Sequence, residues 1–380
     1  MRPAFASTKQ AAAFAVLLLV LLLAPVLVGK TFLPSREQAY ATLGWNSGPY
    51  PWIYQQVFQE TNDIDIVFMG SSRMLRGIDT PYVQAALSQK LGRPAVVRTI
   101  AWSWAGYDGL FFIAQDLLQH RKVRQLVFYD ENSNSKSQRN PILVSLFRFG
   151  EDASSLSHLP LADKGIFYFA ALIGMPRNLL GLARTNIPVA LLADQPGYIE
   201  PTDKSDLNDV NAPSCLGAVA TRLGYNSSRL FSEHAPFSPY RPAEANFTHA
   251  TVYTAANPNK NFEFSGVPLP VWQFHFARQF GMLAEAHNCH LVMLHIPTLD
   301  PAFDPIQSTA IQERAFWPSI FSTNMALVGI PSNQLFQGLT DDKIKKLYFD
   351  PLHLNQNGME FFTRLITPAL LEQYEAKTNY

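Results

Sequence analysis

The sequence predicts an α/β protein in which a parallel sheet is covered by helices on both faces. Short apolar runs typical of buried parallel strands occur at 64–70 (IDIVFMG), 94–101, 124–130, 290–297 and 325–331. Helical patterns separate or follow them at 80–92, 106–121, 271–288 and from residue 357 onward, where Asn357 and Glu360 resemble a capping box. Such alternation produces a parallel sheet, and ligands bind such sheets beyond the carboxyl ends of the strands.

The amino terminus predicts a membrane anchor. Residues 11–29 (AAAFAVLLLVLLLAPVLVG) contain no charge, and a span needs roughly 20 apolar residues. Arg2 and Lys9 precede this run, so the amino terminus should be cytoplasmic and the rest of the chain outside. A cleaved signal peptide is the alternative, but small residues are missing at the candidate cleavage positions. We therefore expect a single-pass protein of the inner (cytoplasmic) membrane, with the domain periplasmic or extracellular.

The chain divides into a tip and anchor (1–30), a juxtamembrane spacer (31–62) and one large domain (63–380). Between about 135 and 265 the strand–helix alternation is lost in a stretch rich in Pro, Asn and Ser, which predicts a cap insertion. Its apolar run 165–175 (GIFYFAALIGM) is too short to span a bilayer. Two interpretations stay open for this run: a helix buried inside the cap, or a helix that docks on the membrane or on a partner.

The charge balance and the cysteine and histidine spacing argue against nucleic-acid binding and against a zinc site. Lys+Arg and Asp+Glu both number 30, so no basic excess exists to bind nucleic acid. Cys215 and Cys289 are the two cysteines; they could form one disulfide, which the sequence leaves open. No Cys or His cluster has the spacing of a zinc site, so we expect no metal.

Two motifs suggest nucleophilic catalysis. Gly70-Ser71-Ser72-Arg73 follows the first strand directly, and a serine there needs a neighbouring base to take its proton. Asp350 and His353 lie three residues apart, directly before the last helix. A carboxylate at that spacing can orient an imidazole and stabilise its protonated form. Simple alternatives are a serine turn at the first motif and helix capping at the second.

Asn132 follows the third strand, where a side-chain amide can donate to a developing oxyanion. Together the motifs resemble the SGNH (GDSL-like) hydrolase superfamily, in order along the chain. The resemblance implies a three-layer, flavodoxin-like fold, a Ser72–Asp350–His353 triad, ester chemistry and no cofactor. It also implies an oxyanion hole from Gly106 and Asn132. Ser71 replaces the family's Asp, and Asp130-Glu131 replace its glycines.

An anchor followed by an SGNH-like domain with Gly-Ser-Ser is also similar to the D-alanine transfer protein and to polysaccharide O-acyltransferase-associated SGNH proteins. This implies an esterase or acyltransferase acting on O-acyl groups of a polysaccharide, with a multi-spanning membrane-bound O-acyltransferase as partner. Arg73, Trp102, Trp104 and Tyr107 are candidate substrate-binding residues, and core packing is the alternative for the aromatic ones. A rival function is a non-catalytic assembly or glycan-binding partner, against which the presence of Ser, Asp and His argues.

Overall fold

The computed structural model describes residues 5–32, 36–43, 53–101, 106–129, 147, 152–169, 270–298, 321, 323, 325–330, 335–350 and 353–376. Five strands form one sheet: β1 Ile64–Gly70, β2 Val97–Ala101, β3 Val123–Tyr129, β4 His290–Leu294 and β5 Met325–Val328. Their order is β2-β1-β3-β4-β5 and every neighbouring pair is parallel. This is the strand order of flavodoxin-like folds, and it confirms the predicted α/β class.

The register aligns the carboxyl ends of the strands along one edge. Gly70 of β1 pairs with Ala101 of β2, and Tyr129 of β3 pairs with Leu294 of β4. The strand order reverses between β1 and β3, because the chain moves from β1 to one side for β2 and then to the other side for β3. The carboxyl ends of these strands therefore form the topological switch point, where open α/β sheets bind ligands. The carboxyl ends of β1, β2 and β3, which the sequence motifs follow, therefore lie along one edge.

Helices cover both faces of the sheet. They are α1 Thr8–Phe32, α2 Arg36–Leu43, α3 Ser72–Gly77, α4 Thr80–Leu91, α5 Tyr107–His120, α6 Val271–Ala286, α7 Asp341–Lys345 and α8 Gln356–Ala376. Helices α3 and α4 contact α8, whereas α5 contacts α6. Since parallel crossovers are right-handed, the leftward β1–β2 and rightward β2–β3 connections place α4 and α5 on opposite faces.

The α5–α6 face is packed mainly with aromatic side chains. Phe128 of β3 stacks edge-on against Phe280 of α6 at 4.5 Å between ring centroids. Phe112 of α5 lies 5.7 Å from Phe276 of α6. Helix α6 approaches its neighbours so closely that a Cβ at Gly281 would lie 1.9 Å from the Phe321 carbonyl oxygen. The helix after the insertion is therefore fixed firmly to the first half of the domain.

Helix α1 exposes apolar side chains all around its circumference. Six consecutive positions, from Val16 to Leu21, are between 46% and 60% exposed. Because successive helical residues point about 100° apart, these side chains cannot form a stripe that packs on one neighbour. Within the part of the chain that the structure describes, no helix meets the length and hydropathy expected of a membrane span. The anchor at 11–29 stays a prediction, and the side chains of residues 22 and 24–29 lie outside the described part.

The stretch predicted as a spacer contributes buried residues to the domain. Tyr40 of α2 is buried, and the π-helical turn Gln55–Gln59 packs against α5. Arg36 of α2 pairs with two carboxylates: its Nε lies 2.9 Å from Asp116 Oδ1 of α5, and its Nη atoms donate to both oxygens of Asp152 at 2.9 and 2.6 Å. This Arg36 cluster fastens α2 and the segment 152–169 to α5.

The Arg36 cluster holds two carboxylates and one guanidinium, and all three are buried. Burial raises the pKa of Asp116 to about 7, while the neighbouring Arg36 acts to lower it. The pKa of Arg36 is raised because the attraction of both carboxylates outweighs its own burial. We interpret the two shifts together: Arg36 compensates the charge of Asp152, with which it forms the two-pronged contact, and Asp116 keeps its proton up to near neutral pH.

Candidate active site

Ser72 is the first residue of α3, two residues beyond Gly70, the last residue of β1. The preceding Ser71 caps this helix, and its Oγ accepts a hydrogen bond from the Arg73 N–H at 3.3 Å. Ser71 thus has a structural use that an Asp at the same position would also serve, since both residue types are good N-caps. The Ser72 side chain lies outside the described part, but its backbone stands at the switch-point edge of the sheet.

Asp350 and His353 face each other in a small antiparallel ladder. Strands β6 Tyr348–Asp350 and β7 His353–Leu354 pair with Asp350 opposite His353. Strand β7 packs against α3, the helix that Ser72 begins. The structure therefore pairs the backbones of Asp350 and His353 and packs the strand that contains His353 against the helix that Ser72 begins. His353 is partly buried, while the side chain of Asp350 lies outside the described part.

Asn355 holds the His353 segment in place. Its Nδ2 donates to the carbonyl oxygens of Lys346 at 2.7 Å and Tyr348 at 3.3 Å, and its Oδ1 accepts from the Gly358 N–H at 3.0 Å. A Cβ at Gly358 would lie 1.9 Å from a backbone oxygen. The predicted start of the last helix at Asn357 and Glu360 is therefore wrong: α8 begins at Gln356 with Asn355 as its cap, because that amide satisfies backbone groups on both sides of the ladder.

Gly106 lies at the amino-terminal end of α5 with φ of +120°, a backbone conformation that favours glycine. A buried Gln273 from α6 fixes the turn: its Oε1 accepts from the Tyr107 N–H at 2.5 Å, and its Nε2 donates to Asp108 Oδ1 at 3.1 Å. A Cβ at Gly106 would come within 2.7 Å of Gln273 Nε2 and 2.8 Å of Asp108 Oδ1. The predicted oxyanion donor thus belongs to a rigid turn.

Arg73, a predicted substrate-binding residue, is 6% exposed. Its Nη2 donates to the Ile296 carbonyl oxygen just beyond β4. Gly77, at the other end of α3, lies so close to the same residue that a Cβ there would be 2.8 Å from Ile296 Cδ1. These contacts tie the Ser72 helix to the carboxyl end of β4, so the described contact of Arg73 is internal and its binding of substrate stays a prediction.

For Tyr107 the sequence left two interpretations open, stacking on a sugar ring and packing in the core. It is buried and makes an edge-on contact with Phe321 at 5.3 Å between ring centroids. Tyr107 therefore belongs to the core and not to a sugar-stacking surface. Trp102, Trp104, Asn132 and Cys215 lie outside the described residues.

No family model and no curated protein matches this chain. The geometry around Ser72, His353 and Gly106 is therefore the main basis for assigning a function. Across the described ranges, no three His, Cys, Asp or Glu side chains lie close enough together to hold a metal ion. Cys289 is buried, and its Sγ donates to the His290 carbonyl oxygen at 3.9 Å.

Two residues at the candidate site escaped the sequence analysis. Gln273 is 166 positions from the Tyr107 N–H that it binds, and no local pattern indicates such a contact. His295 is buried directly after β4, and its backbone N–H donates to the Val328 carbonyl oxygen at 2.8 Å. A titratable residue at the carboxyl end of a predicted strand was a usable signal, because that edge carries the ligands of such sheets.

Proposed function

We propose that the chain is a membrane-anchored, extracytoplasmic serine acyltransferase or esterase that acts on O-acyl groups of a polysaccharide. The pairing of Asp350 with His353 opposite each other, on a strand packed against the Ser72 helix, carries the proposal. Ser72 precedes Asp350 by 278 positions and His353 by 281 positions, yet the helix that Ser72 begins packs against the strand that contains His353, so distant parts of the chain meet beside the switch point of a parallel sheet. Helix capping alone does not account for this meeting, because Asn355 already caps α8.

In the proposed reaction His353 takes the proton of the Ser72 hydroxyl, and Oγ attacks the acyl carbonyl carbon. Asp350 holds the imidazole and stabilises its protonated form. The tetrahedral oxyanion accepts hydrogen bonds from the Gly106 and Ser72 N–H groups and the Asn132 amide. Collapse breaks the ester bond, and the leaving alcohol takes the proton from His353. An acceptor hydroxyl or water then repeats these steps in reverse on the acyl-serine.

The choice between a sugar hydroxyl and water depends on how well the site excludes water. The insertion between β3 and α6 follows the Asn132 segment, so it is suited to form such a cover. Trp102 and Trp104, next to Gly106 in the sequence, are proposed to stack on sugar rings of the polysaccharide. No cofactor takes part in this reaction scheme.

The anchor in this proposal is residues 11–29, within α1. Its apolar surface on every side suits a lipid environment or the helices of a membrane protein. We propose a multi-spanning membrane-bound O-acyltransferase as the partner that supplies the acyl group. Exchanging residues 11–29 for an unrelated transmembrane helix should abolish co-purification with that partner and keep the protein in the membrane. Unchanged co-purification would place the contact elsewhere.

A fluorophosphonate probe tests the catalytic part of the proposal. The wild-type protein should gain one covalent adduct, located by peptide mass spectrometry on Ser72. Ser72→Ala should lose the adduct and keep the circular dichroism spectrum. Ser154→Ala, which removes an exposed serine of the 3-10 turn Ala153–Leu156, is the matched control and should react like the wild type.

A folded wild-type protein that stays unlabelled would favour the rival function, a non-catalytic assembly or glycan-binding partner. Labelling of a different serine would overturn the Ser72 assignment. Release of acetate or a related acid from an acylated polysaccharide, in the presence and absence of an acceptor glycan, then separates esterase from transferase activity.

A further inference from the structure

The helical residues 161–169 present an apolar face to the outside of the domain. Its members are spaced at i, i+1, i+4, i+5 and i+8 and are all exposed: Leu161, Ala162, Gly165, Ile166 and Phe169. Leu161 is 85% exposed and Phe169 is 63% exposed. The spacing places all five on one side of the helix, and none carries a charge or a side-chain hydrogen-bonding group. We call this surface the 161–169 face.

The other side of this helix is fixed to the domain. Phe167 is fully buried and its ring lies 5.4 Å from that of Phe276 in α6. The Tyr168 ring lies 5.5 Å from that of Phe147. Lys164 Nζ donates to the Ser157 carbonyl oxygen at 2.6 Å. The sequence left open whether the apolar run 165–175 is buried inside the cap or docks on the membrane or on a partner. In the structure Phe167 of this run is buried and Phe169 points outward, while residues 170–175 lie outside the described part.

The 161–169 face lies close to the point where the chain joins the anchor. Ring contacts lead from Tyr168 to Phe147, from Phe147 to Phe112 at 6.2 Å, and from Phe112 to the Arg36 guanidinium at 5.9 Å. Arg36 follows Phe32, the last residue of α1, by four positions. Four Cα–Cα steps reach at most about 15 Å, so α1 ends within that distance of the Arg36 Cα atom and near the Arg36 cluster.

We propose that the 161–169 face inserts into the interfacial layer of the membrane in which α1 is anchored, so that lipid covers it. The proposal rests on the anchor of the proposed function. A protein partner normally provides about one hydrogen bond per 100–200 Å² of interface, and this face has no side-chain group to accept or donate one. A lipid surface requires none, and an interfacial helix buries its apolar face roughly 5–10 Å into the boundary of headgroups and acyl chains.

The test places an environment-sensitive fluorophore at single cysteines of the full-length chain in phosphatidylcholine vesicles. In a Cys215→Ser, Cys289→Ala background, the labelled positions are Phe169→Cys, Leu365→Cys and Leu18→Cys. Leu365 on α8 is the matched control, since it is 46% exposed on the opposite face of the sheet, and Leu18 of α1 is equally exposed. Quenching by lipids with a doxyl group at carbon 5 or carbon 12, and by aqueous iodide, is then measured.

At position 169 we expect a blue-shifted emission, protection from iodide and stronger quenching by the carbon-5 than by the carbon-12 lipid. Position 365 should be quenched by iodide alone. Quenching of position 169 by iodide at the level of position 365 would overturn the proposal, and so would protection from both quenchers, which indicates a protein covering. Lipid quenching at position 18 would show that α1 is inserted in the bilayer, whatever the result at position 169. Absence of lipid quenching at position 18 would overturn the proposed anchor itself.

Discussion

Replacing Asp116 with Asn should remove a large pH dependence from the free energy of unfolding. In the folded protein burial raises the pKa of Asp116 to about 7, whereas an unfolded chain ionises Asp near its ordinary pKa of about 3.9. Between these values the folded state holds one proton more than the unfolded state. The contribution of Asp116 to the free energy of unfolding is therefore fully present below about pH 4, and it is lost as the pH rises towards 7.

The slope is at most about 1.4 kcal/mol per pH unit and flattens near the folded pKa, so the wild type should lose about 2 kcal/mol between pH 5 and pH 7 through this group. Asn carries no titrating proton, and its amide oxygen can still accept from Arg36 Nε, which lies 2.9 Å from Asp116 Oδ1. The variant should therefore lack this loss. For a chain of 380 residues the difference corresponds to roughly 3 °C in the melting temperature.

Thermal unfolding of the full-length protein in detergent, followed by circular dichroism from pH 5 to pH 8, measures this difference. Asp342→Asn, which removes an exposed carboxylate of α7, is the control and should keep the wild-type slope. Arg36, Tyr40, Asp152 and His120, the other titratable side chains that influence the pKa of Asp116, remain in every variant. Equal slopes in wild type and Asp116→Asn would refute the reasoning. A wild-type stability that rises with pH would mean that Asp116 is ionised and firmly paired with Arg36.

Four further changes test the candidate site and the topology. Asp350→Asn should lower kcat by about 10⁴-fold with an unchanged melting temperature, since the imidazole loses its orienting charge; an enzyme that keeps full activity would exclude Asp350. Gly106→Ala should destabilise the protein by about 1–3 kcal/mol through its strained backbone and its contact with Gln273, read by the melting temperature, and a neutral change would contradict the rigid turn. Gly358→Ala should be at least as damaging in the same melts, because a backbone oxygen blocks its Cβ. Alkaline phosphatase fused after Tyr380 should be active in cells, and an inactive fusion would reverse the orientation.

The sheet was largely predictable because strands buried on both faces are continuously apolar. Strand β1 has the predicted limits, and β3 differs by one residue at each end. Strand β2 begins at Val97 and not at residue 94, because the apolar pattern continues through Pro94, which cannot donate to the ladder. Helices α4, α5 and α6 lie within two residues of the predicted limits, since each has a regular apolar spacing.

Elements whose stability comes from distant contacts were not predictable. Helix α2 has mixed polarity, and it is held by Arg36, whose partners are on α5 and at Asp152. The β6–β7 ladder is too short to show a period in sequence. At the candidate site, the Ser72 and Asp350–His353 motifs could be read locally, but Gln273 could not. Its side chain acts on a turn formed more than 160 positions earlier.

The strand order has a consequence for synthesis and export. Strands β1, β2 and β3 are complete at Tyr129, but β4, which pairs with β3, begins at His290. At about 5–20 residues per second the intervening chain takes on the order of ten to thirty seconds to emerge. During that interval β3 presents an open row of backbone donors and acceptors that other chains can pair with. Because one edge of β3 stays unpaired for so long, the protein should depend on a chaperone that binds extended segments as they emerge.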